Sequence, residues 1–261
     1  MPELCRLELR LSIPPNEQIH ASMGSVFHGL LMDIVGSDVA AWLHDESSHR
    51  PFSQCVYYNK ELGVPVWRIC TLSEAAYRNI ILPVMDLMGK KLYLAQKHWE
   101  IVWEEVISYA EAGYQELADE VFLAEELPGG GVLNLLTTVS FKRDGHYVIM
   151  PELYLMFQNL IARWNKLFPD NIISAQGLEH ELASCCHITK YALHTQTFSV
   201  NNGNVYGFCG NIKVKFSGND MTRRLMNLIF LYANFAGIGI KTALGMGAVD
   251  YQGFANPRRS S

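Results

Sequence analysis

Ala236-Gly237-Ile238-Gly239-Ile240-Lys241-Thr242-Ala243-Leu244-Gly245-Met246-Gly247 places four glycines, a lysine and a threonine in one short run. Glycine lets backbone approach a ligand closely and reach positive φ, and amides beside a lysine suit phosphate oxygens. A mononucleotide P-loop would follow a strand and open a helix. Here an apolar helical stretch, Arg223 to Phe235, comes first, and a short strand, Ala248 to Tyr251, comes after. The GK[ST] ending is also missing, because Ile240 precedes Lys241. That order argues against mononucleotide binding. It favours an α+β chain in which Gly237, Gly239, Lys241, Thr242, Gly245 and Gly247 hold a long polyphosphate backbone. A tight helix-to-strand turn is the competing reading.

Upstream, His187 to Val200 and Tyr206 to Ser217 read as two long strands. The turn signal Asn201-Asn202-Gly203-Asn204 joins them. A helix opens at Pro151 and runs to about Phe168, and a strand runs from Val132 to Phe141. In the first half, Cys5, Leu7, Leu9, Leu11 and Ile13 alternate with polar residues as a half-buried strand. A helix from about His20 to Val35 carries the stripe Met23, Val26, Phe27, Leu30, Leu31 and Ile34, with His28 and Met32 on a neighbouring flank. Ser37 or Asp38 caps a short second helix bearing Trp42, Leu43 and His44. Strands at about Ser53–Tyr58 and Val64–Thr71 follow, then a helix capped by Ser73 that Pro83 should kink. Strand-like segments lie at Lys91–Ala95 and Trp99–Val106, and Glu111 to Leu127 reads as an acidic helix or irregular connection. Each half thus runs strand, helix, strand, strand, helix, strand, the ferredoxin-like order. The expectation is a pair of tandem ferredoxin-like (RRM-like) domains, 1–128 and 129–261, divided at Gly129-Gly130-Gly131.

The 261 residues are nearly half hydrophobic, enough for a proper core. No basic-then-apolar leader opens the chain, and Leu225 to Ile240 is too interrupted to span a bilayer comfortably, so a cytoplasmic protein without membrane association is expected. Six cysteines without a CxxC pair read as buried thiols. His180, Cys185, Cys186 and His187 have poor spacing for one tetrahedral metal site, and neither metal nor cofactor is expected. Net charge is −5, but nine acids and no Lys or Arg lie between His98 and Leu127. Without those nine, 21 basic residues face 17 acidic ones. From Ile188 to Val249 the only acid is Asp220, against Lys190, Lys213, Lys215, Arg223, Arg224 and Lys241. A basic C-terminal half fits a polyanion, with Lys190 and Arg223 as candidate contacts. Phe198, Tyr206, Phe208 and Phe216 interleave with these basic residues, half of them expected in the core.

Phe27-His28-Gly29-Leu30-Leu31-Met32, Trp42-Leu43-His44 and Arg50-Pro51-Phe52-Ser53 resemble the N-terminal half of the CRISPR-associated repeat-RNA-processing endoribonucleases of the RAMP superfamily. Gly145 to Pro151 with Phe157-Gln158 resembles the start of their second domain, and Gly237 to Gly247 is similar to their glycine-rich signature. The resemblance implies two ferredoxin-like domains that bind the CRISPR repeat in precursor transcripts and cut once per repeat without a metal. The 2′-hydroxyl would attack the adjacent phosphate to leave a cyclic phosphate and a 5′-hydroxyl. The family's catalytic histidine falls on His44, and its basic residue six positions later on Arg50. A tyrosine of some members falls on Met32, which has no acid–base chemistry. His28, one turn earlier, is the candidate substitute. A CRISPR effector complex and a second copy of the chain are further candidate partners.

The residue types suit that reaction. Transesterification of RNA needs a base for the 2′-hydroxyl, an acid for the departing 5′-oxygen and a cation for the phosphorane. Histidine titrates near neutrality and serves the first two needs. Arginine stays charged and binds two phosphate oxygens at once. His28, His44 and Arg50 supply the set. The order of base and acid stays open, and His49 is an alternative partner. A catalytically inactive repeat-RNA-binding subunit and a nucleotide-binding enzyme using the glycine loop are the rival readings.

Overall fold

A computed structural model describes residues 1–45, 50–200 and 203–254. The expected turn at Asn201-Asn202 and the candidate His49 lie outside the described residues. In the first half, β1 (Leu4–Ser12) leads through a short 3-10 turn to α1 (Gly24–Val35) and α2 (Ser37–Asp45). Then come β2 (Phe52–Asn59), β3 (Val64–Leu72), the single turns α3 (Glu74–Ala76) and α4 (Leu82–Met85), β4 (Leu92–Leu94) and β5 (Trp99–Ala112). Ser73 caps α3 by accepting from the Ala76 N–H. A π-turn at Tyr77–Ile81 separates α3 from α4, so Pro83 falls in a first turn, where its missing N–H costs nothing.

α5 (Tyr114–Phe122) crosses to the second half. There, β6 (Gly130–Val139), β7 (Phe141–Arg143), β8 (His146–Val148), α6 (Leu153–Leu167) and α7 (Leu178–Cys185) precede β9 (Cys186–Val200), β10 (Gly203–Phe216), α8 (Asp220–Ala236) and β11 (Val249–Gly253). Sequence reading left α7 unassigned. Its apolar signal is short, with Leu178 and Leu182 as its buried positions.

The two main sheets have strand orders β2-β3-β1-β5-β4 and β11-β6-β10-β9, each pair antiparallel. With β4 set aside, both place the first and third strands in the centre and the second and fourth outside. That is the ferredoxin-like arrangement expected from the element order. Helices cover one face of each sheet and close two cores. The first packs Leu7, Leu9, Phe27, Leu31, Trp67 and Trp103. The second packs Leu133, Phe157, Leu160, Trp164, Phe230 and Tyr232, and α5 joins it through Tyr114, Leu117 and Val121. No helix among the described residues is long and apolar enough to cross a membrane.

Where the halves meet, β3 sends Arg68 into a buried network. Its guanidinium donates to Glu8 at 2.5 Å, to the Val249 carbonyl at 3.2 Å and to Asp250 at 3.0 Å. Nearby, the Ser53 hydroxyl donates to the Phe235 carbonyl at 2.7 Å, tying β2 to the end of α8. Ala243, from the glycine-rich segment, is part of the first half's core rather than the second's.

Candidate active site

Three candidates from separate elements converge. His28 lies on α1 and His44 in the last turn of α2. Their ring centroids are 6.1 Å apart, edge to face. Arg50, just before β2, points its Nη2 at His44 Nδ1, 3.3 Å away. Arginine only donates, so His44 Nδ1 is the acceptor, and the neutral ring carries its proton on Nε2. His44 is exposed and stands at the carbonyl end of α2.

His28 differs from the expected flank position. It is buried and lies parallel to the Phe52 ring at 6.0 Å. Its Nδ1 is sealed from solvent without a hydrogen-bond partner. Burial, then the Arg50 and His44 charges, lower its pKa to about 4, opposed by a favourable contact with the Ala243 backbone. At neutral pH it is an uncharged ring, lacking the second ring proton that an imidazolium acid would give up. The sequence stripe placed His28 off the core because it counted α1 contacts alone. Phe52 and the glycine-rich segment supply the cover.

The glycine-rich segment also corrects the expectation of outward-facing amides. Gly237, Gly239, Gly245 and Gly247 are all buried, as is Thr242; Lys241 is exposed. The amides are used internally. Ile238 N–H donates to the Gly247 carbonyl, Ile240 N–H to Ser140, Gly247 N–H to Thr138, and Gly239 N–H to the Asn159 side chain. Gly245 N–H donates to the Thr242 carbonyl and Gly237 N–H to Ala233. The glycines are needed because protein backbone, not phosphate, comes close. Gly239 has φ +88° with the Ser140 carbonyl where a Cβ would stand, and the Gly245 Cα crowds Gly24 at the start of α1. Lys241 itself sits at φ 57°, with its side chain free to face solvent. The segment is a joint between halves that ends beside His28.

Gln54, on β2, completes that joint. Its Nε2 donates to the carbonyls of Gly24 (2.8 Å) and Ala243 (3.0 Å), and its Oε1 accepts from Trp67 Nε1 (3.1 Å). Gln54, Phe52 and the buried Arg163 of α6 support the site without having been singled out for that role. A polar Gln inside the apolar strand β2 and an Arg three residues after Leu160 on an apolar helix were the available signals.

The remaining candidates are not brought to this cluster. Arg223 lies in the first turn of α8, whose opposite end is capped by Gly237, and pairs with Asp220 at 3.6 Å. Lys190 is exposed on β9 opposite Lys213. Of the aromatic set, Phe198 and Phe208 are buried and Tyr206 is exposed. His180 stacks on Tyr154, Cys186 is buried in the core and His187 meets Ser217, so those side chains find separate partners. Among the described residues, no three His, Cys, Asp or Glu side chains are grouped to hold a metal ion.

Solved structures bear out the fold of paired ferredoxin-like units. A Cas6 product complex superposes with a TM-score of 0.75 at 20% identity, covering 97% of this chain and all of that one. A RAMP protein described as binding different RNA substrates gives a TM-score of 0.61 at 14% identity, covering 95% of this chain and 99% of that one. The model of the CRISPR-associated endoribonuclease Cas6 family matches residues 133–249. A Cas6 endoribonuclease of Streptococcus thermophilus is 26% identical over 85% of this chain and 88% of its own length. One of Mycobacterium tuberculosis is 26% identical over 97% of this chain and 79% of its own. The family resemblance visible in the sequence is therefore with Cas6, and it extends along nearly the whole chain.

Proposed function

We propose that this chain is an endoribonuclease that cleaves CRISPR precursor transcripts within the repeat, by attack of the 2′-hydroxyl on the adjacent phosphate. The observation that carries the reading is the convergence of His44 and Arg50 at an exposed position, with His28 beneath them. The likeness to Cas6 endoribonucleases supports the substrate class.

The arrangement suggests a division of labour. Arg50 keeps the His44 lone pair on Nδ1. When a phosphate draws the guanidinium away, that nitrogen is left bare beside the phosphate and takes the 2′-hydroxyl proton. Arg50 then stabilises the phosphorane. His28, neutral and stacked on Phe52, adds no charge to compete with Arg50 for the phosphate and fixes the floor under His44. His44, protonated by that first transfer, gives the proton to the departing 5′-oxygen, so the step balances without a metal and the products are a 2′,3′-cyclic phosphate and a 5′-hydroxyl. Lys241, Lys190 and Arg223 remain proposed backbone contacts for the RNA, through their side chains.

The test is cleavage of a repeat RNA in excess chelator by wild type and His44→Ala. Wild type should cut and leave a cyclic phosphate. The variant should lose on the order of 10²-fold or more in single-turnover rate, with affinity unchanged within a few-fold. A variant that cuts at the wild-type rate would remove His44 from the chemistry. A 3′-hydroxyl product would overturn the mechanism. Repeat RNA bound but left uncut by wild type would favour the binding-subunit reading.

A further inference from the structure

α6 belongs to the second sheet's helical layer, yet one of its side chains ends in the candidate site's backbone. Arg163 is 4% exposed. Its Nη2 donates to the carbonyls of Phe52 (2.9 Å) and Arg50 (3.2 Å), and its Nη1 donates to the Ala236 carbonyl. Among the described residues no carboxylate pairs with it: its partners are three main-chain oxygens from two segments. Ala236 is the last residue of α8, where the helix dipole presents negative charge. A buried cation answered only by carbonyls is an expensive way to fill space, since desolvating a charge costs several kcal/mol. The planar guanidinium nevertheless has the geometry to join three acceptors, which an ammonium on a flexible stem lacks.

The acceptors show what the join accomplishes. Arg50 contacts His44, and Phe52 stacks on His28. We propose that Arg163 is a positioning residue: it holds the Arg50–Phe52 backbone against the end of α8, so that the Arg50 guanidinium and the Phe52 ring meet the two histidines in fixed register. This rests on the active-site reading above and extends it to a residue that touches no substrate. It makes the second half a contributor to the geometry of a site whose reacting side chains all lie in the first.

The test is a double-mutant cycle on single-turnover cleavage with Arg163→Lys, Arg50→Ala and the double variant, and with His44→Ala as control. Lysine keeps the charge and part of the bonding but not the fork. Arg163→Lys should slow cleavage by on the order of tenfold to a hundredfold, the scale of a small misplacement, while repeat-RNA affinity stays within threefold. In the Arg50→Ala background the same substitution should cost less than about threefold, because residues acting through one another are non-additive. Arg163→Gln, with two N–H donors and no charge, should retain more activity than Arg163→Met. Equal losses from Arg163→Lys in both backgrounds would overturn the proposal, as would a loss confined to affinity. Melting curves identify variants that fail to fold. If neither the Lys nor the Gln variant folds, Arg163 is a folding residue and the positioning role is wrong. A fully active His44→Ala would defeat the site reading itself, whereas an inactive one with an additive cycle defeats only the role of Arg163.

Discussion

Replacing Gln54 with leucine should separate the joint between the halves from the chemistry it supports. The side chain is 2% exposed and makes three hydrogen bonds, to Gly24, Ala243 and Trp67. Leucine matches its bulk but leaves the Trp67 indole N–H buried without a partner and takes one donor from each of two carbonyls. An orphaned buried donor costs about 1–3 kcal/mol. The carbonyls lose less, because each oxygen has a second lone pair. A total of about 3 kcal/mol is expected, which for a chain of this size lowers Tm by roughly 6–12 °C. The functional consequence follows from what the two carbonyls belong to. Gly24 starts the helix that carries His28, and Ala243 lies against His28 itself. At a temperature where the variant is folded, single-turnover cleavage should therefore fall several-fold while RNA affinity holds. Adding Trp67→Phe removes the orphaned donor, so the double variant should cost less than the two singles combined. A Tm within about 2 °C of wild type, or strict additivity with Trp67→Phe, would refute the bridging role.

Acid sensitivity follows from His28. The folded protein holds it neutral down to about pH 4, whereas an unfolded histidine protonates near 6.5, so the unfolded chain binds more protons between those values. Stability from this residue is complete above pH 6.5 and falls by about 3 kcal/mol as pH drops to 4. His28→Phe should flatten that part of the Tm–pH curve, and an unchanged slope would show that His28 is not the responsible group. For the glycine-rich segment, Gly239→Ala should lower Tm, because a Cβ at φ +88° meets the Ser140 carbonyl, and should leave the salt dependence of RNA binding unchanged. Lys241→Ala should do the opposite, keeping Tm and reducing the slope of log affinity against log salt by about one. A reduced salt slope in a folded Gly239→Ala protein would return RNA to the glycine amides.

The legible and illegible parts of this molecule divide by the range of the interactions involved. Strand alternation in β1 and the helical stripe of α1 are local patterns, and twice-repeated element order was enough to anticipate both sheets. His44 and Arg50 were singled out through the family resemblance rather than by local pattern, and the structure brings their side chains together. The glycine run announced its conformations but not its neighbours. Positive φ at Gly239 is a property of the chain, whereas the Ser140 carbonyl that occupies its open side comes from the far end of β6. Gln54 and Arg163 were missed because each is explained by atoms more than a hundred positions away as well as by nearby ones. His28 was read as a flank residue, and its burial was not foreseen because the cover over it comes from other segments.

The crossing of Ala243 into the first half's core has a bearing on how the protein matures during synthesis. His28, His44 and Arg50 leave the ribosome well before Ala243. The segment that lies over α1, and the helix end that Arg163 grips, emerge only after some two hundred further residues. A nascent or truncated chain ending before residue 237 would carry every proposed reacting side chain but lack the contacts that set their spacing. Long-range contacts of this kind form slowly. If the chain cuts RNA as proposed, that competence waits until residues 237–247 have been added and have packed over α1.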